Sequence, residues 1–353
     1  MKEKAGPSPL DQMRFDRWMA AMTRRRNIFG AVMCVENQDR SLSIVSSGGE
    51  MKPETPFFIA SVTKLYVTAV LLQLRSRQLL RLDDRIGEYL PEAMIKGIHV
   101  YQNVDYSREI TIKQLMSNTS GIPDYFSGRV FADLIAGKDQ SWPLEKTLEA
   151  VRQLRPKFPP GMKNKAQYSD TNYQLLGKLI ETVTGQPIEA TFKECIFDRL
   201  RLTQTYVYKD PLDGRPASFY YRKTRLQIPL YMSSIAPEGG IVSTARETMT
   251  FLRAFFDGVL FPQTDLKELM GWKFLWAPGT FFYGSGIVRQ PLSLLNMKDG
   301  LIGHWGQSGA FAFHHPETGL YFTGTVNQAI GQSAAVHRIA RIIRYYKKTQ
   351  SPT

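Results

Sequence analysis

Ser61-Val62-Thr63-Lys64 is the only S-x-x-K spacing in this chain of 353 residues. On a helix, a lysine three residues after a serine stands beside it on the same face. Burial lowers a lysine's pKa, so a neutral amine beside a hydroxyl can take its proton. The free N–H groups of a first helical turn can steady an oxyanion. The same residues also have a structural use, with Ser61 as a cap and Lys64 running its stem out to water. Tyr168-Ser169-Asp170 forms a second set. A phenol relays a proton where an ammonium favours its phenolate, and Asp170 can hold Lys64. Alternatively, Tyr168 packs and Asp170 caps the next helix. Gly303-His304-Trp305-Gly306 is the third set. Two glycines around a strand histidine suggest a close approach of backbone or ligand, with the Gln307 N–H as a further oxyanion donor. The bland use of His304 is as a satisfied core histidine.

The elements around these residues can be read from periodicity. Phe15, Trp18, Met19 and Met22 predict an amphipathic helix over Arg14–Arg26, after a loose tail at 1–14. Ile28–Val35 and Leu42–Ser46, parted by Glu36–Arg40, read as a hairpin. Ser61–Arg77 contains no Pro or Gly and is apolar nearly all round, so it reads as a buried helix. From Leu82 to Pro237 the pattern is mostly helical with long loops, including helices at Thr171–Thr184 and Ile188–Arg199. A helix over Ser243–Gly258 has Ser243 or Thr244 as its N-cap. Strands follow at Phe281–Arg289, Leu301–Trp305, Ala310–His315 and Tyr321–Asn327, and a helix at Ser333–Tyr346 ends the fold. The fold class is therefore α/β (α+β), a mainly antiparallel sheet built from both termini, flanked by helices, with a largely helical insertion. The division reads 15–60 plus 238–349 for the sheet-containing region and 61–237 for the helical one, a single catalytic unit over 15–349. A ligand belongs in the cleft between the two.

Composition excludes several classes. Apolar residues are 43% and charged residues 22%, so the chain is neither disordered nor fibrous. Cys34 and Cys195 are too few for a disulfide scaffold or a thiolate metal site. The net charge of +13 comes with basic clusters at Arg24, Arg25 and Arg26 and along Arg338, Arg341, Arg344, Lys347 and Lys348. No nucleic-acid-binding signature accompanies them, so they read as solvated surface and no nucleic-acid partner is expected. There is no G-x-S-x-G, Walker A, H-E-x-x-H or EF-hand pattern. His314 and His315 are neighbours on an expected strand and face opposite ways, so no metal site is expected. No apolar run is long enough to cross a bilayer. No leader is visible, which points to the cytoplasm, or to the periplasm or exterior if a leader has been removed.

Taken in order, S-x-x-K, Y-x-[ND] and [KH]-x-G resemble the serine β-lactamase and penicillin-binding superfamily, nearest to the class C β-lactamase branch with its D-aminopeptidases, D-alanyl-D-alanine carboxypeptidases and esterases. Asn118–Tyr125, Tyr168–Gly177 and Gly239–Thr244 support the likeness, which covers about Ile28–Ile343. The resemblance implies a β-lactamase/transpeptidase-like fold and a serine hydrolase working through an acyl-enzyme on Ser61. Lys64 and Tyr168 share the acid and base work, with Asp170 and His304 in support. The N–H groups of Ser61 and Gln307 form the oxyanion hole, and Asn118, Trp305, Gly306 and Ser308 bind substrate. No cofactor is implied; the partner is a small ester, amide or peptidoglycan-like molecule. Two departures shift the expectation from β-lactams toward an esterase or small-amide/D-amino-acid peptidase. Asp170 stands in the usual place of Asn, and Trp305 in that of a small hydroxyl residue. A true class C-type β-lactamase or D-alanyl-D-alanine carboxypeptidase is the nearest alternative. A penicillin-binding-like sensor that does not turn over is the alternative from another class.

Overall fold

The computed structural model describes residues 10–24, 27–126, 128–277, 279–293, 297 and 299–350. Most of the expected tail and the basic residues Arg25 and Arg26 lie outside these.

The first helix runs Gln12–Thr23 and starts earlier than periodicity predicts, because Asp11 caps it by accepting the Arg14 N–H at 2.7 Å. The tail reading therefore fails from Leu10, which is already buried, into the helix that begins at Gln12. The expected hairpin is present as β1 (Gly30–Glu36) and β2 (Ser43–Gly49), with Gly30 opposite Gly49 and Glu36 opposite Ser43. Late in the chain come β3 (Lys273–Ala277), β4 (Gly279–Tyr283), β5 (Val288–Pro291), β6 (Gly300–Trp305), β7 (Ala310–His315) and β8 (Leu320–Thr325). Together these eight form one sheet, in the order β3-β4-β5-β6-β7-β8-β1-β2. The seam between the two ends of the chain is antiparallel, with Val32 opposite Thr325. The single strand expected at Phe281–Arg289 is instead two, since Gly284-Ser285-Gly286 folds it into a hairpin, and β3 was not foreseen.

Alternating side chains give the sheet two buried faces. Ala31, Met33, Val35, Phe311 and Phe313 pack with Phe15, Met19 and Ile339 of the two terminal helices. Val32, Cys34 and Ala312 belong to the larger core with the helix Ala245–Phe256, which Thr244 caps. Cys34 and Cys195 are both buried and unbridged. Among the described residues, no helix is long and apolar enough to cross a membrane.

The helix Thr63–Ser76 is buried from Thr63 through Leu74, as its all-round apolar pattern requires. A short three-stranded sheet (Phe57–Phe58, Ile241–Ser243, Tyr206–Val207) stands at its start. The β4–β5 turn clamps its flank. Gly286 has φ +77°, and a Cβ there would lie 1.8 Å from Thr68 Oγ1. Its N–H donates to the Met116 carbonyl at 2.9 Å. Gly286→Ala therefore combines left-handed strain with overpacking, and should cost about 2–4 kcal/mol of stability. Urea unfolding measures this, and a loss under about 0.5 kcal/mol would contradict the clamp.

Candidate active site

Ser61 lies in a single tight turn, Ala60–Val62, that leads into the buried helix. Three contacts fix that turn. The Ile59 N–H donates to the Ile241 carbonyl at 3.0 Å. Ser308 Oγ donates to the Phe58 carbonyl at 2.5 Å. Gly306 passes so close that a Cβ there would stand 2.3 Å from the Ile59 carbonyl oxygen. Ala60 has φ +46°, a strained conformation for an L side chain directly before the serine. The N–H groups of Ser61 and Gln307 have no hydrogen-bond partner among the described residues, and both residues line one cleft.

Lys64 is fully buried. Its Nζ donates to Ser61 Oγ at 2.9 Å and to the Glu238 carbonyl at 2.8 Å, and lies 2.7 Å from Asp170 Oδ1. Two of these contacts are hydrogen bonds and the third is an ion pair. Asp170 opens the helix Asp170–Thr184, but its side chain turns to Lys64 instead of capping. Lys64 Nζ stands 5.2 Å from the centre of the Tyr168 ring. That ring lies edge-on to Tyr283 at 5.7 Å and 6.4 Å from the His304 ring. The backbone on both sides of Tyr168 is held by one residue, Asn118 (φ +57°). The Asn118 carbonyl accepts the Gln167 N–H at 2.8 Å, and its Oδ1 accepts the Ser169 N–H at 3.1 Å and Asn172 Nδ2 at 2.8 Å.

With this geometry in hand, likeness to known proteins becomes informative. The Beta-lactamase family model matches residues 15–346. The chain belongs to the Beta-lactamase family. Among curated relatives it is 32% identical over 157 residues to an N-acetylmuramyl-L-alanine amidase of Bacillus subtilis, covering 44% of this chain and 34% of the relative. It is 27% identical over 238 residues to a teichoic acid D-alanine hydrolase of Staphylococcus aureus, covering 63% and 52%. The chain thus spans a third to a half of these relatives' length. A D-stereospecific amidohydrolase from a Streptomyces species superposes with TM-score 0.77 at 25% identity, covering 92% of this chain and 98% of that one.

Within this Beta-lactamase family chain, burial and Asp170 pull in opposite directions on the charge state of Lys64, which the residues alone left undecided. Burial does push the Lys64 pKa down, but Asp170, Tyr168 and Glu238 push it up by more, so the amine is held as an ammonium. Tyr168 is raised, chiefly by burial, with Lys64 pulling the other way, so it is a neutral phenol. His304 is pushed down to about 3, by burial first and then by Lys64. Its Nδ1–H donates to the Trp305 carbonyl at 2.7 Å, leaving Nε2 to face Tyr283 Oη at 3.3 Å. His304 is thus a neutral neighbour of Tyr168 whose ring nitrogens are committed elsewhere.

The four residues expected to bind substrate differ in where they stand. Trp305 points to the opposite face of its strand from His304, packs on Phe313 at 4.5 Å and donates Nε1–H to Gln290. It does not line the cleft. Asn118 is fully buried and serves the Tyr168 loop. Gly306 is an approach point between strand and serine turn. Ser308 does line the cleft, but its hydroxyl proton is spent on Phe58.

Sequence reasoning missed two acids. Glu238 is buried in the cleft wall, with its Oε1 accepting from Tyr125 Oη. Asp124 accepts the Asp170 N–H at 3.1 Å. Burial and Asp170 push Asp124 up to about 8 and Glu238 well above the usual carboxyl range. Asp124 sat inside a stretch quoted for its likeness and Glu238 beside a glycine pair, and neither formed a pattern of its own. Elsewhere, Asp299, His315 and Glu317 gather possible metal-ligand atoms. Both His315 nitrogens are bonded, to Asp299 and Thr318, and Lys347 Nζ lies 2.7 Å from Glu317, so a cation already occupies that corner.

Below about pH 6.5, the unfolded chain protonates His304 while the folded chain stays neutral down to about 3. That contribution to stability is present above pH 6.5 and drains away as pH falls. In His304→Asn the drain is absent. The wild-type advantage over this variant should shrink by about 1 kcal/mol per pH unit between pH 6 and 4. Urea titrations at each pH measure it, and a flat difference would contradict the buried neutral imidazole.

Proposed function

We propose that this protein is a serine hydrolase that cleaves small esters or amides through an acyl-enzyme on Ser61. The observation that carries this reading is Ser61 Oγ, 2.9 Å from Lys64 Nζ, at a cleft into which two unpaired amides also open. Substrate entry excludes water and strengthens every charge interaction there. One Lys64 proton then passes to the Asp170 carboxylate at 2.7 Å, leaving an amine beside the hydroxyl. Ser61 Oγ attacks the substrate carbonyl carbon while its proton goes to Lys64. The oxyanion is held by the N–H groups of Ser61 and Gln307. Tyr168 donates its phenolic proton to the leaving amine or alkoxide and is reprotonated by Lys64. Water attacks the ester by the reverse proton path, releasing the acid and freeing Ser61.

The cleft wall is largely apolar, with Phe126, Phe131, Leu134, Phe219 and Ile228, and suits a substrate with a sizeable hydrocarbon group. The names of the relatives, an amidase, a D-alanine hydrolase and a D-stereospecific amidohydrolase, support an amide or ester of an amino acid over a β-lactam. A fluorophosphonate probe should label Ser61 and fail on Ser61→Ala, as read by peptide mass spectrometry. Lys64→Ala and Tyr168→Phe should each slow p-nitrophenyl ester turnover by about 100-fold or more. An unlabelled, folded wild type, or near-wild-type rates in both variants, would overturn the reading.

A further inference from the structure

Three carboxyl groups, Asp124, Asp170 and Glu238, interact with a single ammonium, Lys64, and the last two line the cleft. Asp170 is taken up by Lys64. Asp124 Oδ1 accepts the Asp170 and Phe126 N–H groups at 3.1 and 3.2 Å. Glu238 differs from both. It is 2% exposed, its Oε1 accepts from Tyr125, and its Oε2 has no hydrogen-bond partner among the described residues. A buried polar atom left without a partner costs more than an average hydrogen bond returns, so a ligand that supplies one gains affinity. Glu238 also stands next to the reacting atoms. Lys64 Nζ alone bridges its backbone carbonyl to Ser61 Oγ, and Glu238, Ser61 and Gln307 line the same cleft.

We infer that Glu238 anchors the α-ammonium of the substrate, so that the hydrolysed molecules are amides or esters of apolar amino acids with a free amine. This rests on the acyl-enzyme reading of the same cleft and names its substrate class. In an α-amino acid derivative the amine is joined to the reacting carbonyl carbon through a single Cα, about 2.5 Å away. A cation held at Glu238 therefore brings that carbon toward Ser61. The ammonium supplies a donor to Oε2 and a positive charge where carboxyls outnumber cations. Glu238 enters as the acid and leaves one proton to solvent as the ammonium binds, so charge balances. The apolar wall opposite, including Phe126, Phe131 and Ile228, receives the side chain. An N-acylated amine has neither the charge nor the spare protons, so it forfeits the anchor.

The test compares phenylalanine p-nitroanilide, in the faster of its two hands, with 3-phenylpropionyl p-nitroanilide, which lacks only the amine. The wild type should favour the free amine by at least about 10-fold in kcat/KM, the range expected of a charged hydrogen bond. In Glu238→Gln that ratio should collapse toward one, whatever general loss the substitution brings, because such a loss cancels in the ratio. Fluorophosphonate labelling of Ser61 in both proteins shows that the site is folded. A labelled wild type with no amine preference, or a labelled Glu238→Gln protein that keeps the full preference, overturns the anchor and leaves the acyl-enzyme reading intact. If Glu238→Gln does not fold, the wild-type ratio alone decides. A wild type that neither labels nor turns over either anilide overturns both.

Discussion

A fully buried lysine ammonium is the constraint around which this site is built. Taking such a charge out of solvent costs several kcal/mol unless it is fully paired. Here Ser61 Oγ and the Glu238 carbonyl accept two of its protons, and the Asp170 carboxylate pairs with its charge. Those partners come from three distant parts of the chain, the turn before the buried helix, the turn before the glycine pair and the start of a second helix. Each must arrive in register, and the packing around Lys64 enforces that. The strained Ala60, the close pass at Gly306, the Asn118 clamp and the Gly286 wedge all serve the same few atoms.

The arrangement also sets how the catalytic groups are poised. Lys64 is an ammonium in the resting site because Asp170, Tyr168 and Glu238 outweigh its burial, and Tyr168 is a neutral phenol chiefly because of burial. In the proposed reaction, base strength appears when a proton moves between Lys64 and Asp170, over 2.7 Å. An asparagine at position 170 would carry no charge to hold the lysine proton. In that proposal the acidic residue couples the arrival of substrate, which dries the cleft, to activation of the serine.

Much of this was legible in the residues, for identifiable reasons. The all-round apolar pattern after Ser61 required a buried helix, and a buried helix made its lysine an oddity worth pursuing. The strand-rich ends predicted a sheet joining both termini, and the Val32–Thr325 pairing is that seam. Other features depend on contacts that periodicity does not carry. Asp11 capping extended the first helix, and Gly284-Ser285-Gly286 turned one strand into two. Lys64's charge state was left open because burial and Asp170 act in opposite directions and only distance decides between them. Trp305 was misplaced because strand alternation, applied from His304, sends it to the other face. Glu238 is a lone acid in sequence, and its meaning lies in an unpaired oxygen within a fold 174 residues removed from Lys64.

The most direct test is to quench turnover of a slowly deacylated ester, locate the adduct by mass spectrometry, and determine the crystal structure of the trapped species. The account predicts an acyl group on Ser61 Oγ, its carbonyl oxygen between the N–H groups of Ser61 and Gln307. Turnover without a covalent adduct, an adduct on another residue, or a carbonyl oxygen turned away from both amides would contradict it.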